Sequence, residues 1–480
     1  MYLRMILVLG GLLSVAQAAT NTSWTSINDC LRKSGVPIDE KGSVDWIRDA
    51  AAYNVRLPTY TPAAIAVPTT IPQIQGAVKC GRDLKLKPGT RLGHMATELI
   101  KQGNRAIAHG TCPRVGASGH MTSGGYGMSS RTHGLALDFV EGTTVVLADG
   151  SVVEASLEQN PDLFWAIRGA GNNFGIVALW RLKTFEAPAD LTWFRVTLGW
   201  NQSTAARHLA AVEDYIKTKM PAELNFRIAD YEKGRPFAEG LFYGDEKQMN
   251  KGLAEFLIAS NGTLFTSHQV DWLDAIKHYS VDNTVNTSAV DVPVDYLEPG
   301  PPDNFFSKSL TLNSLSGSVG KAFVDYWYGT ANRVDRRWFF QIDAAGGANS
   351  AYAQPGNAAT AFAHRDKTFI IQFYDAVDSN LAYPANGTAF LNGWVAKVTA
   401  ALGASGGTDG WGAYANYPDP TLGRDEAQML YYGTNLERLQ RLKLRYDPEE
   451  RFYYPQSIVP WGKRSSRARR LPRWKGGRWS

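Results

Sequence analysis

A chain of 480 residues, 44% hydrophobic and 11% aromatic with 14 tryptophans, is long enough for two domains and shows no internal repeat. Its formal charge of +5 belongs to eight Lys/Arg in Trp461–Ser480; without that tail 42 basic residues face 45 acidic ones. A body at −3 lacks the footprint of a nucleic-acid binder, and the one marked apolar run, Met5–Leu13, is too short to cross a membrane.

Met1–Ala18 has the parts of a secretory signal: Arg4, the apolar run, and Ala16-Gln17-Ala18 as a small-residue cleavage site. The protein is therefore expected to be secreted and extracellular. Five Asn-x-Ser/Thr sequons, at Asn21, Asn201, Asn261, Asn286 and Asn386, suit a glycoprotein. Ser26-Ile-Asn-Asp-Cys-Leu reads as a helix. Thr61–Pro68 reads as a short strand, and Ile71–Cys80 as an amphipathic helix with Pro72 in its first turn. Ala96–Gly103 is another helix, closed by glycine.

Next comes the stretch that carries most chemistry. His109–Gly127 holds six glycines and Cys112, and it runs on into Arg131-Thr-His133-Gly-Leu-Ala-Leu-Asp138. Glycine at this density costs backbone entropy, so it is kept where the backbone must approach something closely, such as a phosphate or a flat cofactor ring. Three standard motifs fail. There is no Gly-Lys-Ser/Thr ending of a P-loop, no strand leading into a dinucleotide fingerprint, and no Gly-x-Ser-x-Gly elbow. His94, His109, His120 and His133 lie more than ten residues apart, unlike helical metal ligands, so no metal is expected.

Gly142–Ala155 reads as two strands around an Asp149-Gly150 turn, and Asp162–Arg168 as a helical turn entering Gly169-Ala-Gly171. From Leu191 the pattern changes. Phe194–Trp200, Leu224–Asp230, Glu239–Gly244, Trp338–Asp343 and Thr368–Tyr374 read as strands, with Ser203–Lys219 a helix capped by Ser203. Strands and helices without regular βαβ units imply an α+β fold, with helices on one face of an antiparallel sheet. Glu298–Asp303 reads as a surface loop, and Asn435–Pro448 is a last amphipathic helix. Gln341 and Asp343 share a face of their strand, and Gln372 on a neighbouring strand can join them. Three such polar groups do not suit a dry core.

Gly110-Thr-Cys112-Pro-x-Val115-Gly116-x-x-Gly119-His120, then Gly124-Gly125-Tyr126-Gly127, then Thr132-His133-Gly-Leu135-x-Leu-Asp138 resembles the flavin-binding segment of the secreted oligosaccharide oxidases. These belong to the vanillyl-alcohol oxidase and berberine-bridge superfamily. Asp162–Val177, with Gly171, Gly175, Ile176 and Val177, and Arg451–Gln456, with Tyr454 and Gln456, extend the resemblance over nearly the whole chain. It implies a two-domain flavoprotein: an FAD-binding domain at 19–192, a substrate domain at 193–409, a catalytic loop and return at 410–460, and the basic tail at 461–480. The expected reaction is oxidation of a reducing-end hemiacetal to a lactone, with electrons passing through FAD to oxygen; a monomer is expected.

The resemblance implies roles as well. The residues just quoted would hold FAD, with Cys112 bonded to its ring. Cys30 and Cys80 are the expected disulfide, tying the first helix to the Ile71–Cys80 helix and leaving Cys112 over. Tyr417, in Tyr414-Ala-Asn-Tyr-Pro, matches the catalytic tyrosine, and Asp343 the acid that engages it. Gln341, Gln372 and Glu239 would read the sugar, Glu239 favouring a C2 hydroxyl. One part of the pattern is absent. A Gly-Gly-Gly-His-Ser-Tyr loop, whose histidine makes a second flavin bond, should follow the Cys80 helix, but Asp83–Lys87 runs straight into Pro88–His94. The alternative function is thus a flavin-deficient, non-catalytic paralogue, or a mis-spliced product, that keeps only a sugar cleft.

Overall fold

The structure is a computed structural model that describes residues 7–9, 24–56, 62, 64–80, 90–280, 302–403 and 410–463. Most of the signal segment, Asn21, Asn286, the Lys87–Pro88 junction, the first residues of the Glu298–Asp303 loop and the tail beyond Lys463 lie outside the described residues.

The first part of the chain runs β1 (Leu7–Leu9), α1 (Trp24–Lys33), β2 (Ile38–Asp39), α2 (Val44–Ala50), β3 (Ala64–Ala66), α3 (Ile71–Cys80), α4 (Leu92–Lys101), β4 (Arg105–Ala106), α5 (Ala117–Thr122), α6 (Ser130–His133), β5 (Val140–Val146), β6 (Val152–Ser156), α7 (Pro161–Ala170), β7 (Ile176–Leu182) and β8 (Phe185–Glu186). β3 is flanked by β1 and β2 in a small antiparallel sheet. Ile74, Ala77 and Val78, at helical spacing on α3, pack with Leu31 of α1 under this sheet. The Cys30–Cys80 disulfide joins the two helices, as the sequence leads one to expect. β5 and β6 form the hairpin around Asp149-Gly150, where Asp149 Oδ1 accepts the Ser151 N–H at 2.8 Å; β7 pairs with the other side of β5.

Several element boundaries differ from the sequence reading, and for two of them the hydrogen bonds show why. α4 starts at Leu92 rather than Ala96, because its first N–H groups find partners far along the chain: Leu92 N–H on the Val115 carbonyl and Gly93 N–H on the Pro113 carbonyl, both at 2.9 Å. The helix after Trp200 starts at Ala205 with Thr204 at its N-cap, not Ser203, whose N–H and hydroxyl both go back to Asn201 Oδ1.

The second part comprises β9 (Leu191–Leu198), α8 (Ala205–Thr218), β10 (Leu224–Tyr231), β11 (Phe237–Tyr243), α9 (Glu246–Ser260), β12 (Gly262–Val270), α10 (Trp272–Ser280), β13 (Asn304–Leu312), α11 (Gly317–Gly329), β14 (Arg337–Ala344), β15 (Phe369–Val377) and α12 (Thr388–Leu402). Its antiparallel sheet has the order β12-β9-β11-β10-β14-β15-β13-β16, closed by β16 (Trp411–Gly412). Period-two alternation sends Phe194, Val196, Phe226, Ile228, Phe340, Ile342, Ile371 and Phe373 to one face, where α8, α9, α11 and α12 bury them in the largest apolar cluster. This is the α+β arrangement with one helix-covered sheet face.

α13 (Arg424–Tyr432) and α14 (Leu436–Tyr446) bring the chain back. Ala413, Leu430, Tyr431, Leu439 and Ile458 pack with Leu163, Phe164, Ile167 and Val177 of the first part. The sheet's second face meets that first part: Leu135 and Leu137 share a cluster with Ala345, Ile370 and Tyr414. Among the described residues no helix is long and apolar enough to cross a membrane.

The disulfide closes a 50-residue separation, for which the chain-entropy argument gives about 4 kcal/mol as an upper figure. Replacing both Cys30 and Cys80 by serine is expected to lower the urea midpoint by the equivalent of ~2–4 kcal/mol with an unchanged m-value. An unshifted midpoint would show that α1 and α3 hold together without the bond.

Candidate active site

Strand register builds the site as rows across the second sheet face. Arg195, Glu239, Arg227 and Asp343 stand directly opposite one another on β9, β11, β10 and β14. One pleat further along, Ala229, Gln341, Gln372 and Ser309 form the next row on β10, β14, β15 and β13. Arg227, Glu239 and Asp343 are buried, while Gln341 and Gln372 are half-buried. The alternation that puts Phe226 and Ile228 into the helix-covered core puts Arg227 here.

Arg227 was not singled out from the sequence, yet it organises the charges. Its Nε donates to Glu239 Oε1 at 2.7 Å, and its Nη2 reaches the same oxygen. Burial alone would raise the Glu239 pKa, but the Arg227 guanidinium holds the carboxyl below its usual range. Glu239 therefore reaches the site as half of an ion pair rather than as a free carboxylate. Asp343, on the other side of Arg227, is pushed up to about 7: burial raises it most, Arg227 opposes, and the Glu239 charge adds to the rise. Gln341 Nε2 donates to Gln372 Oε1, a pairing that leaves the Gln341 carbonyl and the Gln372 amino group for other partners.

Tyr417 reaches this face from the loop between β16 and α13. It is half-buried, its ring edge-on to Tyr414 with centroids 5.0 Å apart. Its phenol is pushed well above the ordinary tyrosine value, by burial first and then by the charges of Asp343, Tyr414 and Cys112. Tyr126 is raised too, by burial and then by Asp343, with Tyr417 among the smaller causes. Tyr417 therefore lies within electrostatic reach of Asp343, Tyr126 and Cys112, and Tyr126 within reach of Asp343.

Tyr414 is a second residue the sequence did not reveal. Its ring is buried, and its hydroxyl accepts the N–H groups of Gly125 at 2.9 Å and Tyr126 at 3.0 Å. Asn416 Nδ2 donates to the same hydroxyl at 2.9 Å and to the His120 carbonyl at 3.1 Å. The Tyr417 loop is thus stapled to the glycine-rich segment. The only sequence signal was proximity to Tyr417, because the partners lie some 290 residues away.

Several residues expected to meet a cofactor are occupied by the protein itself. A Cβ on Gly127 would lie 1.9 Å from the His109 carbonyl oxygen, and one on Gly125, at φ +89°, 2.4 Å from the Ala136 Cβ. These two glycines let the segment pack on itself, while Gly124 lets it approach the rings of Tyr414 and Phe362. Gly171 and Gly175 likewise abut Thr122 and Val145, and Ile176 and Val177 are core residues. His120 Nε2 accepts the Gly110 N–H at 2.8 Å; burial, then the His109 charge, lowers its pKa to about 3, so it is a neutral brace. His133 stacks on Phe185 at 4.0 Å. Asp138 gives both oxygens to Arg365 and one also to the Leu135 N–H, and the Gln456 amide bonds the Asp419 carbonyl. The Tyr454 hydroxyl lies 3.5 Å from that of Tyr432.

What remains open is a smaller set. Cys112 is exposed, Val115 is 40% exposed, and nothing lies within 4 Å of a Cβ built on Gly116 or Gly119.

Residues 64–156 match the family described as FAD binding domain, and residues 413–459 that described as berberine and berberine like. The carbohydrate oxidase of Microdochium nivale is 44% identical over 95% of this chain and 99% of its own. Its crystal structure with a substrate analogue has a TM-score of 0.84 at 42% identity, covering 91% of this chain and 99% of that one. The glucooligosaccharide oxidase of Sarocladium strictum is 37% identical over 94% of this chain and 97% of its own. The chitooligosaccharide oxidase of Gibberella zeae is 38% identical over 92% and 96%.

The chain belongs to the FAD-linked oligosaccharide oxidases. It is thus a member of the vanillyl-alcohol oxidase and berberine-bridge superfamily. The open residues of the oxidase fit a flavin on one side: two bare glycine positions in open space beside an exposed thiol. The alignment with the M. nivale enzyme spans 504 positions yet uses 95% of 480 residues, about 456, so some 48 positions of that relative face gaps.

Tyr414→Phe removes the acceptor of two buried N–H groups and is expected to cost ~1–3 kcal/mol by urea unfolding. A cost within error of zero would show that the staple carries no weight.

Proposed function

We propose that the oxidase converts the reducing-end hemiacetal of an oligosaccharide to a lactone, reducing oxygen to hydrogen peroxide. The observation that carries this reading is that Tyr417, on the loop stapled to the glycine-rich segment, feels the charges of both Asp343 and Cys112. FAD, when bound, supplies the hydride acceptor that no side chain can provide. Tyr417 takes the C1 hydroxyl proton while its own phenolic proton passes to Asp343. A tyrosine held protonated by its surroundings cannot act alone, so a carboxylate base poised near neutrality is the needed partner. Gln341 and Gln372 offer one acceptor and one donor to sugar hydroxyls, and Glu239 shapes the site through Arg227.

Flavin attachment through Cys112 Sγ fits its exposed position beside Gly116 and Gly119. The second, histidyl attachment belongs to the loop that the sequence lacks after Lys87. The gapped alignment favours a second reading, a flavin-deficient protein that retains the sugar cleft. Secretion, and glycans at Asn201, Asn261 and Asn386, which are all exposed, complete the proposal, with a monomer as the working unit.

Tyr417→Phe in flavin-loaded protein is expected to lower turnover by about 10² or more with little change in sugar binding; near-normal turnover removes Tyr417 from the mechanism. The carboxylate form of Asp343 is lost as pH falls through about 7, so turnover should show an acidic limb near that value that Asp343→Asn abolishes together with most activity. The visible spectrum of the purified chain separates the two readings. We expect little flavin to survive acid denaturation in the chain as it stands, and a full equivalent once a Gly-Gly-Gly-His-Ser-Tyr loop is inserted after Lys87. A full covalent equivalent without the loop would show that loop to be dispensable.

A further inference from the structure

We infer that Lys308 is a positioning residue for Tyr417, acting through a buried ion pair with Asp419 that clamps the loop carrying the tyrosine. The inference rests on the reading of Tyr417 as the group that takes the substrate proton.

β13 alternates Phe306, Lys308, Leu310 and Leu312 on the helix-covered face, so Lys308 stands where the pattern asks for an apolar side chain. It is buried, and so is Asp419, whose Oδ2 takes the Lys308 ammonium. Asn392 of α12 supplies a second acceptor through Oδ1 at 2.8 Å. A lysine ammonium is desolvated at such a position only against a paired charge, and losing one partner strands the other.

The geometry of the loop shows what the pair restrains. Gly412 pairs with Thr311 of β13, and the Tyr414 N–H donates to Ser309 Oγ at 2.9 Å, both on the site face. Five residues later Asp419 meets Lys308 on the opposite face, so the segment wraps round the edge of β13. Asp419 is fixed on every side. Its Oδ1 accepts the N–H and hydroxyl of Thr421, its own N–H donates to the Tyr431 hydroxyl at 3.0 Å, and its carbonyl accepts from Gln456. Tyr417 lies between the two anchors, and its N–H closes a turn onto the Tyr414 carbonyl at 2.8 Å. Its ring, edge-on to that of Tyr414, is thereby held by backbone fastened on both faces of one strand. Positioning of this kind governs how well a proton-transfer group is aimed rather than how tightly substrate binds.

Two readouts test this. Hydrogen exchange needs no cofactor: in Lys308→Met, peptides covering 412–423 should exchange at least about tenfold faster while β14 and β15 keep their protection. Unchanged exchange in that loop overturns the clamp. Asp419→Asn, which leaves Lys308 its Asn392 contact, is the second variant; if both raise exchange throughout the sheet, the pair is core stability and the proposal fails. In flavin-loaded enzyme assayed with cellobiose, Lys308→Met should lower kcat about tenfold with KM within about twofold, Lys308→Arg should recover part of it, and the effect should vanish in a Tyr417→Phe background. Full additivity with Tyr417→Phe overturns the link between Lys308 and the tyrosine. Normal turnover in Tyr417→Phe by itself refutes the proton reading and with it the catalytic half of the inference, while exchange still decides whether the clamp exists.

Discussion

The two faces of the large sheet are covered by different things. Helices cover one face with side chains that ask for nothing but apolar contact. The first part of the chain, with the returning segment, covers the other, and that face carries Arg195, Arg227, Glu239, Asp343, Gln341 and Gln372. Charges taken out of water there must be paired or held for a task, because neither the sheet nor its cover hydrates them. Glu239 and Arg227 take the first course. Asp343 takes the second: it lies beside Arg227 without being its direct partner, and burial leaves it poised near neutrality.

Two anchored segments close over this face. The glycine-rich run folds so tightly that a Cβ on Gly125 or Gly127 would collide with its own neighbours, and the Tyr414 hydroxyl ties it to the loop that carries Tyr417. Lys308 and Asp419 hold that loop from behind. The acid, the tyrosine and the thiol thus come from three separate stretches, and each is located by backbone contacts made some way from the chemistry. Rigid support at a distance is what a proton-transfer site needs, since small errors of aim cost rate even where binding survives.

Gly116, Gly119 and Cys112 present one wall for a planar ring. In the alignment with the M. nivale oxidase some 48 positions of that relative face gaps. The face that carries Gln341, Gln372 and Asp343 belongs to a sheet whose strands pair in sequence from β12 to β16.

Much of this was legible in the residues. Alternation marked the strands; the Asp-Gly turn gave the hairpin; α3 ran over its expected residues; and the glycine run with Cys112 pointed to the family. All of these are local patterns or contiguous motifs, and local sequence carries them. Tertiary structure decided the rest. It moved the start of α4 to Leu92, because the donors of its first turn bond carbonyls at 113 and 115. It assigned Asp138 to Arg365 and turned Gly125 and Gly127 inward, since a motif names residues without saying which of them meet the ligand and which meet each other. It placed Arg227 between two carboxylates and set Lys308 against Asp419, 111 residues away. Strand register and the packing of distant segments fix such pairings, and a local pattern does not name the partners.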